Sequence, residues 1–324
     1  MQQRYLSYII IVLLALPAAG QSKRERLRAK VDSLLTQKYY RVTYDTNYIG
    51  RPKGKLTLKA RVNLSGNSVH AKSDDMSAEL NTDRKATLSF GISYRGLSAG
   101  LAINPASLSG RNKDYELNVN LYTNRFSIDA SYQMSKTMAG YITRYGNEYS
   151  VERGWINTKM LNIAGYYTFN HRRFSYPAAF TQSYIQKRSC GSWLAGFSFQ
   201  GGSMKTTGEG PEDMPEARLY MGHFAIGGGY GYNLVARQWL FHLSLLPTLA
   251  IYTGDNITLN GQRQYADTKF PTVILNSRAA IVRNIGERHF VGVTAVSNHL
   301  LKNTHGTDLR QSKWRVRAFY GIRF

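Results

Sequence analysis

The chain has 324 residues, 43% of them hydrophobic, and its 42 lysines and arginines against 20 aspartates and glutamates give a formal net charge of +22 at pH 7. The single cysteine, Cys190, excludes an internal disulfide and is interpreted as a small packing residue. So basic a chain favours polyanionic neighbours, either nucleic acid or an anionic lipid surface.

Residues 1–20 have the layout of a secretory signal peptide. Arg4 precedes an apolar run from Tyr8 to Leu16, and small residues end the segment at Gly20. We expect cleavage after Gly20, because the run is shorter than the roughly 20 residues of a membrane-spanning helix. An uncleaved anchor is the alternative. Export argues against nucleic acid as a partner and leaves the lipid surface.

Residues 21–54 are predicted to form a periplasmic N-terminal segment and a possible plug. Leu27, Val31, Leu34 and Leu35 recur at helical spacing, which predicts a short amphipathic helix. A tyrosine-rich stretch follows and ends at a Gly-Arg-Pro break.

From residue 55 to the end, apolar and polar residues alternate, as they do in a β-strand with two different faces. Each alternating segment has about ten residues, the length of a tilted strand that crosses a bilayer. The pattern predicts an all-β fold, a transmembrane antiparallel β-barrel of about 12 strands over residues 55–324. The strands are expected to begin near Lys55, Lys85, Leu97, Asp114, Arg125, Thr158, Trp193, Arg218, Gln238, Pro271, His289 and Lys313.

The connections alternate between short and long, as they do when one end of a barrel has periplasmic turns and the other has outer loops. Long polar loops are expected at 73–84, 105–113, 134–156, 203–217, 252–270 and 298–312. Residues 170–192 stand where a short turn is due. We interpret them as a periplasmic excursion, because an additional strand would move the C-terminus to the outer side.

A secreted soluble β-sandwich or a lipocalin-like barrel would also alternate. Three features favour the membrane barrel: the number of strands, the asymmetry of the connections, and the positions of Trp193, Trp239 and Trp314 near strand ends, where an aromatic girdle would lie.

The final strand, WRVRAFYGIRF, places Trp314, Val316 and Phe324 on the face expected to contact lipid. A terminal aromatic residue resembles the signal that the outer-membrane insertion machinery reads, so Phe324 is predicted to be an insertion signal. The expected location is the bacterial outer membrane. The expected partners are outer-membrane lipid and lipopolysaccharide, with the insertion machinery during biogenesis.

Two short motifs carry a resemblance to a known family. They are YDTNYI at 44–49, before the first strand, and QKRSCGSW at 186–193, before the seventh. Together with the signal peptide and the aromatic terminus, they resemble a domain-of-unknown-function family of predicted outer-membrane β-barrel proteins typical of Bacteroidetes. The resemblance implies location and fold, and it implies no activity.

The strand phase that directs Trp314 to lipid directs the intervening charged residues into the lumen. If the barrel closes, the last strand pairs with the first, and a basic wall results: Lys55, Lys59, Arg61, Arg315, Arg317 and Arg323. Glu116 and Asp129 are expected on an acidic wall about a third of the circumference away. We therefore expect a positive lumen that prefers anions.

One pair could carry chemistry. In HLSLLP at 242–247, His242 and Ser244 share a face, and a His-x-Ser pair on a barrel strand resembles the outer-membrane phospholipase A family, in which histidine activates the serine. That family has asparagine and glycine after the serine, where this chain has Leu245 and Leu246. The phase also directs the pair inward, whereas the family's pair must face lipid.

Two further motifs have ordinary explanations. The acidic residues of GEGPEDMPE at 208–216 could hold calcium, but their spacing does not match an EF-hand, and acidic outer loops are often only solvated. The glycines of IGGGYGY at 226–232 precede no helix that could bind phosphate, and they favour strand curvature or a close approach of backbones. We expect no metal and no cofactor.

The sequence favours a narrow passive channel or a structural envelope protein without enzymatic activity. The alternatives are a phospholipase-like hydrolase that uses Ser244 and His242, and a surface adhesin or docking barrel. We expect little conductance from the mature chain and an anion-selective current after deletion of residues 21–50.

Overall fold

A computed structural model describes residues 43–54, 56–74, 76–94, 97–103, 114–208, 216–259, 261–265, 271–304 and 307–324. The predicted signal peptide, the predicted amphipathic helix and Lys55 lie outside these ranges. The chain divides into two compact units, Met1–Asp45 and Thr46–Phe324, and all the described strands lie in the second. In the described part of the chain no helix is both long and apolar enough to cross a membrane.

The described fold is all-β apart from one short helix, α1 (Tyr176–Phe180). The strands of the first half are β1 (Ile49–Gly50), β2 (Leu56–Ser73), β3 (Met76–Asn81), β4 (Lys85–Tyr94), β5 (Leu97–Ile103), β6 (Tyr115–Tyr122), β7 (Phe126–Ser135), β8 (Ala139–Arg144), β9 (Asn147–Val151) and β10 (Ile156–Thr168). Those of the second half are β11 (Ile185–Gln186), β12 (Cys190–Thr206), β13 (Ala217–Ala236), β14 (Trp239–Leu259), β15 (Gln262–Tyr265), β16 (Val273–Ile285), β17 (His289–Thr304) and β18 (Thr307–Arg323).

One large antiparallel sheet contains all of these strands except β1 and β11, which pair with each other. Its long strands follow the order β5-β4-β2-β18-β17-β16-β14-β13-β12-β10-β7-β6. Strand β18 pairs with β2 from Arg323↔Thr57 to Thr307↔Ser73, so the last strand joins the first. Within the described residues, no ladder joins β5 to β6. The expected all-β antiparallel fold is confirmed, and each predicted strand start has a long strand close to it.

Several segments expected to be loops are strands instead. The hairpin of β8 and β9 occupies the predicted loop 134–156 and turns at Tyr145 and Gly146, whose φ values of 48° and 81° suit a tight hairpin turn. Strand β3 pairs with β8, and both pack around Val69, Leu80 and Met138. The predicted loop 298–312 belongs almost wholly to β17 and β18. The hairpins are longer than predicted because backbone hydrogen bonding between the strands continues past the residues in which apolar and polar side chains alternate.

The two faces of the sheet are the reverse of those in a soluble protein. Leu243 and Ile251 on β14 are 66% and 60% exposed, whereas His242 and Ser244, which flank Leu243 in the chain, are buried. On β2, Val62 is 55% exposed while Lys59 is 8% exposed. Apolar residues therefore cover the outer face and polar residues the inner one, which we call the interior face. The sheet curls, since Arg315 on β18 reaches Glu116 on β6 in an ion pair.

Residues 170–189 fold back against the interior face, and we call this segment the plug. Helix α1 begins after Ser175, whose hydroxyl accepts a hydrogen bond from the Ala178 amide at 3.3 Å, and Pro177 lies in its first turn. Phe174 and Tyr176 are fully buried. Strand β11 ends the plug and pairs with β1. As expected, residues 170–192 add no further strand to the large sheet, although residues 190–192 already belong to β12 and the rest of the segment packs against the interior face.

Candidate functional site

Lys59 and Arg323, two residues of the predicted basic wall, hold the plug. Lys59 Nζ donates hydrogen bonds to the Thr181 carbonyl at 2.8 Å and to Gln182 Oε1 at 2.6 Å. The Arg323 guanidinium donates to the Gln182 carbonyl at 3.3 Å and to Asn284 Oδ1 at 3.1 Å. Buried cations need such acceptors because water does not solvate them. Both side chains therefore fix the C-terminal end of α1 in place.

Arg315, also predicted for the basic wall, meets the acidic wall directly. It forms an ion pair with Glu116 and also donates to Asn118. Glu116 was expected about a third of the circumference away from Arg315, yet the two side chains are in direct contact across the interior. The interior is narrow enough for side chains on distant strands to touch.

Asp129, the second predicted acid, pairs with a residue that the sequence analysis missed. Arg278 on β16 forms an ion pair with Asp129 and donates to the hydroxyls of Tyr122 at 2.9 Å and Tyr166 at 2.7 Å. Its guanidinium lies 4.2 Å from the centre of the Tyr166 ring. The alternation of ILNSRAAIV places Arg278 on the face of Ile274 and Asn276, so its phase could have identified it.

Arg61 and Arg317 complete the predicted wall within the described residues. Both lie partly buried on the interior face, and Arg317 lines a cavity of about 50 Å³ between β6, β10, β12, β16, β17 and β18. In the described ranges neither guanidinium has an ion-pair or hydrogen-bond partner.

His242 and Ser244 form part of a buried hydrogen-bonded chain. His242 Nε2 lies 3.0 Å from Ser244 Oγ, and His242 Nδ1 lies 2.7 Å from Asn233 Oδ1 on the neighbouring strand β13. The amide group of Asn233 donates to the Ser175 carbonyl and to Gln186 Oε1, both in the plug. The sequence analysis missed Asn233, which lies directly opposite His242 in the antiparallel register.

Aromatic residues of the plug cover this chain. The rings of Phe174, Tyr176 and Phe180 lie 5.9, 5.0 and 5.1 Å from the His242 ring. Burial raises the pKa of the Tyr176 hydroxyl, so Tyr176 stays neutral at physiological pH. Serine, histidine and an amide are hydrogen-bonded in the same sequence as in a catalytic triad. The serine, however, lies on the interior face and not on the outer one.

A second buried charged cluster lies towards the loop end of the sheet. Lys302 and His223 both contact Asp255 Oδ2, the histidine at 3.3 Å, and all three side chains are at most 5% exposed. The sequence analysis did not identify this cluster, because β14 extends into the predicted loop 252–270 and brings Asp255 with it.

The glycines of IGGGYGY lie in β13 and permit close approaches. A Cβ at Gly227 would lie 2.2 Å from the Pro247 carbonyl oxygen, and one at Gly231 would lie 3.1 Å from the Phe174 ring. The expected close approach of backbones is confirmed at Gly227, and Gly231 leaves room for the plug. The acidic motif that could hold calcium lies mostly outside the described residues.

A model of a domain-of-unknown-function family, DUF4421, matches residues 43–324. The chain belongs to the DUF4421 family. The resemblance to a domain-of-unknown-function family drawn from YDTNYI and QKRSCGSW is thereby confirmed at the level of the family. No curated protein matches this DUF4421 chain.

The DUF4421 structure is similar in outline to solved outer-membrane proteins. The outer membrane protease OmpT from Escherichia coli is 8% identical, with a TM-score of 0.47 over 84% of this chain and 97% of that one. The translocator domain of the autotransporter NalP from Neisseria meningitidis is 10% identical, with a TM-score of 0.37 over 94% and 96%. Ail of Yersinia pestis is 7% identical, with a TM-score of 0.26 over 81% and 97%.

Proposed function

We propose that this DUF4421 protein is an outer-membrane β-barrel of twelve long strands, closed between β5 and β6, which its plug keeps occluded. The observation that carries the proposal is the inverted sheet: an apolar outer face, a charged interior face, and a plug packed on the latter. Exposed aromatic residues cluster where the connections are short, as in a membrane girdle: Phe126, Phe169, Trp193, Trp239, Tyr320 and Phe324. That end faces the periplasm in the proposed orientation.

The interior supports a preference for anions. Basic residues outnumber acidic ones on the interior face of the described strands. The bases are Lys59, Arg61, Lys85, Arg278, Lys302, Lys313, Arg315, Arg317 and Arg323, and the acids are Glu116, Asp129 and Asp255. In a narrow passage with low-dielectric walls, this excess attracts anions. We expect a passive pathway that conducts only when the plug leaves the interior.

The test is the current across a planar bilayer under a salt gradient. We compare the mature protein with a variant in which residues 172–187 are replaced by a glycine-serine linker. The mature protein should pass little current, and the variant should pass an anion-selective one. Arg315→Glu with Arg317→Glu in the variant should shift the preference towards cations. A plugless variant that folds but passes no current would mean a purely structural barrel.

The predicted plug differs in position from the proposed one. It was expected within residues 21–54, of which 21–42 lie outside the described residues. In the described part, β1 contributes one short ladder to the plug that residues 170–189 form. Deletion of residues 21–50 alone should therefore leave the interior occluded.

The second candidate is a lipid hydrolase, favoured by the order Ser244, His242, Asn233. In this relay the histidine would take the serine proton and the asparagine carbonyl would hold the imidazole. The test is phospholipid hydrolysis by the intact and plugless proteins. We expect none from either. Hydrolysis by the plugless protein that Ser244→Ala abolishes would establish the hydrolase instead.

A further inference from the structure

The cavity beside Arg317 has polar and apolar lining residues, and its basic side chains outnumber its acidic ones. Around its volume of about 50 Å³ lie Arg278, Lys313, Arg315 and Arg317 against the single carboxylate of Asp129, with the amides of Asn120 and Asn162. A single water needs about 10–15 Å³ of such space, so the cavity suits a few water molecules or one small ion with water.

Two of the four basic groups around the cavity are paired with carboxylates. Arg315 is paired with Glu116, Arg278 with Asp129, and Lys313 Nζ donates to Ser131 Oγ at 3.1 Å. Arg317 has no hydrogen-bond or ion-pair partner among the described residues. Its side chain is partly buried, and a cation that is partly removed from water without a counter-charge of its own favours a nearby anion.

A second arginine strengthens this preference for an anion. Arg317 lies opposite Asn63 and Arg61 lies opposite Phe319, so the two arginines are diagonal neighbours on the interior face of β18 and β2. Diagonal positions of an antiparallel pair are about 7–8 Å apart, within reach of two long side chains. Their repulsion falls when a negative charge lies close to both.

We infer that this cavity binds one small inorganic anion, of the size and charge of chloride, with the Arg317 guanidinium as its principal ligand. Lys313 and the side-chain amides of Asn120 and Asn162 supply further donors around the anion. The inference rests on the proposed anion-preferring interior and adds a defined binding site to it. The bound anion would stabilise the barrel whether or not the barrel conducts.

The test measures the thermal unfolding midpoint of the purified mature protein in detergent. Chloride replaces gluconate at constant ionic strength, so that general screening does not change. A ligand that binds only the folded protein raises the midpoint with its concentration. We expect this rise in the wild type, its loss in Arg317→Gln, and its retention in Arg310→Gln. Arg310 is the matched control, because it lies on the outer face of the same strand.

Crystals soaked in sodium bromide provide an independent readout, with an anomalous peak expected beside Arg317. A wild-type midpoint that does not depend on chloride, or an equal dependence in Arg317→Gln, would overturn the site. A chloride-dependent midpoint in a protein whose plugless form passes no current would sustain the site and refute the pore. Anion current without any chloride-dependent midpoint would do the reverse.

Discussion

At the scale of single residues, the packing of the interior depends on glycine at places where backbones approach each other. Gly227 and Gly228 are neighbours on β13 and face opposite sides of the sheet. A Cβ at Gly227 would meet the Pro247 oxygen at 2.2 Å, whereas one at Gly228 would meet only the Leu194 oxygen at 3.4 Å, an ordinary contact. The two positions therefore differ in space although they share one motif.

We expect Gly227→Ala to lower the free energy of unfolding by about 1–3 kcal/mol, because the neighbouring backbone must shift. Gly228→Ala is the matched control and should be neutral or stabilise by up to about 1 kcal/mol, since alanine restricts the unfolded chain. Urea unfolding in detergent micelles, followed by tryptophan fluorescence, measures both. Equal changes in stability for the two substitutions would show that the close approach of Gly227 to the Pro247 carbonyl oxygen does not exclude a larger side chain.

The Lys59 anchor gives a second prediction at this scale. Lys59→Met keeps the length of the side chain but leaves the Thr181 carbonyl and Gln182 Oε1 without their donor. The free energy of unfolding should fall by about 1.5–3 kcal/mol. Lys53→Met is the control, because the Lys53 side chain is 80% exposed. The same urea titration applies, and an unchanged midpoint for Lys59→Met would mean that the plug does not need this anchor.

At the scale of elements, the long strands could be predicted because the alternation of apolar and polar residues shows which side chains face outward and which face the interior. The pattern locates β2, β14 and β18 and assigns Lys59 and Arg315 to the interior face. It does not record which distant strand a hairpin pairs with, so β3, β8 and β9 were expected to be loops. The plug sequence FSYPAAF has no two-residue period, and its burial depends on the shape of the interior. Asn233 follows from the register of β13 and β14. The interior position of Arg278 could have been predicted from its phase, but its pairing with Asp129 follows from the curvature of the sheet, which the pattern does not record.

The N-cap of α1 gives a prediction for the plug as an element. Ser175 accepts from the Ala178 amide and donates to Asn124 Oδ1 at 2.7 Å, so it joins the helix to the turn after β6. We expect Ser175→Ala to weaken the helix by about 1 kcal/mol. Amide hydrogen exchange at Ala178 should accelerate while exchange in β13 does not change. Ser150→Ala, at an exposed position of β9, is the control.

At the scale of the whole molecule, the seam between β18 and β2 joins the last long strand of the chain to the first. At its last residue, the Phe324 amide donates to the Leu56 carbonyl at 2.8 Å and the Phe324 carbonyl accepts from the Leu56 amide at 3.1 Å. The Phe324 side chain is 61% exposed on the outer face. Main-chain groups therefore hold the seam here, and the ring is available to a recognition partner.

Because of this division, Phe324→Asp should reduce the amount of protein inserted in the outer membrane far more than it reduces the stability of folded protein. The measurements are the membrane level after expression and the urea midpoint of refolded protein. Phe126→Asp, an equally outward aromatic position inside the sheet, is the control for a charge in the girdle. Normal membrane levels of Phe324→Asp would remove Phe324 as an insertion signal.

The pairing of β1 with β11 has a mechanical consequence. The chain enters the plug after β10 and leaves it before β12, and these two strands are neighbours in the sheet, so the plug is a tucked loop and not a threaded one. The plug can leave the interior without breaking any ladder of the large sheet. Ile49 pairs with Gln186 and Gly50 with Ile185, and Arg51 donates to the Tyr184 hydroxyl at 3.2 Å. A pulling force on the chain before Ile49 would therefore be transmitted to the plug through this ladder and this hydrogen bond.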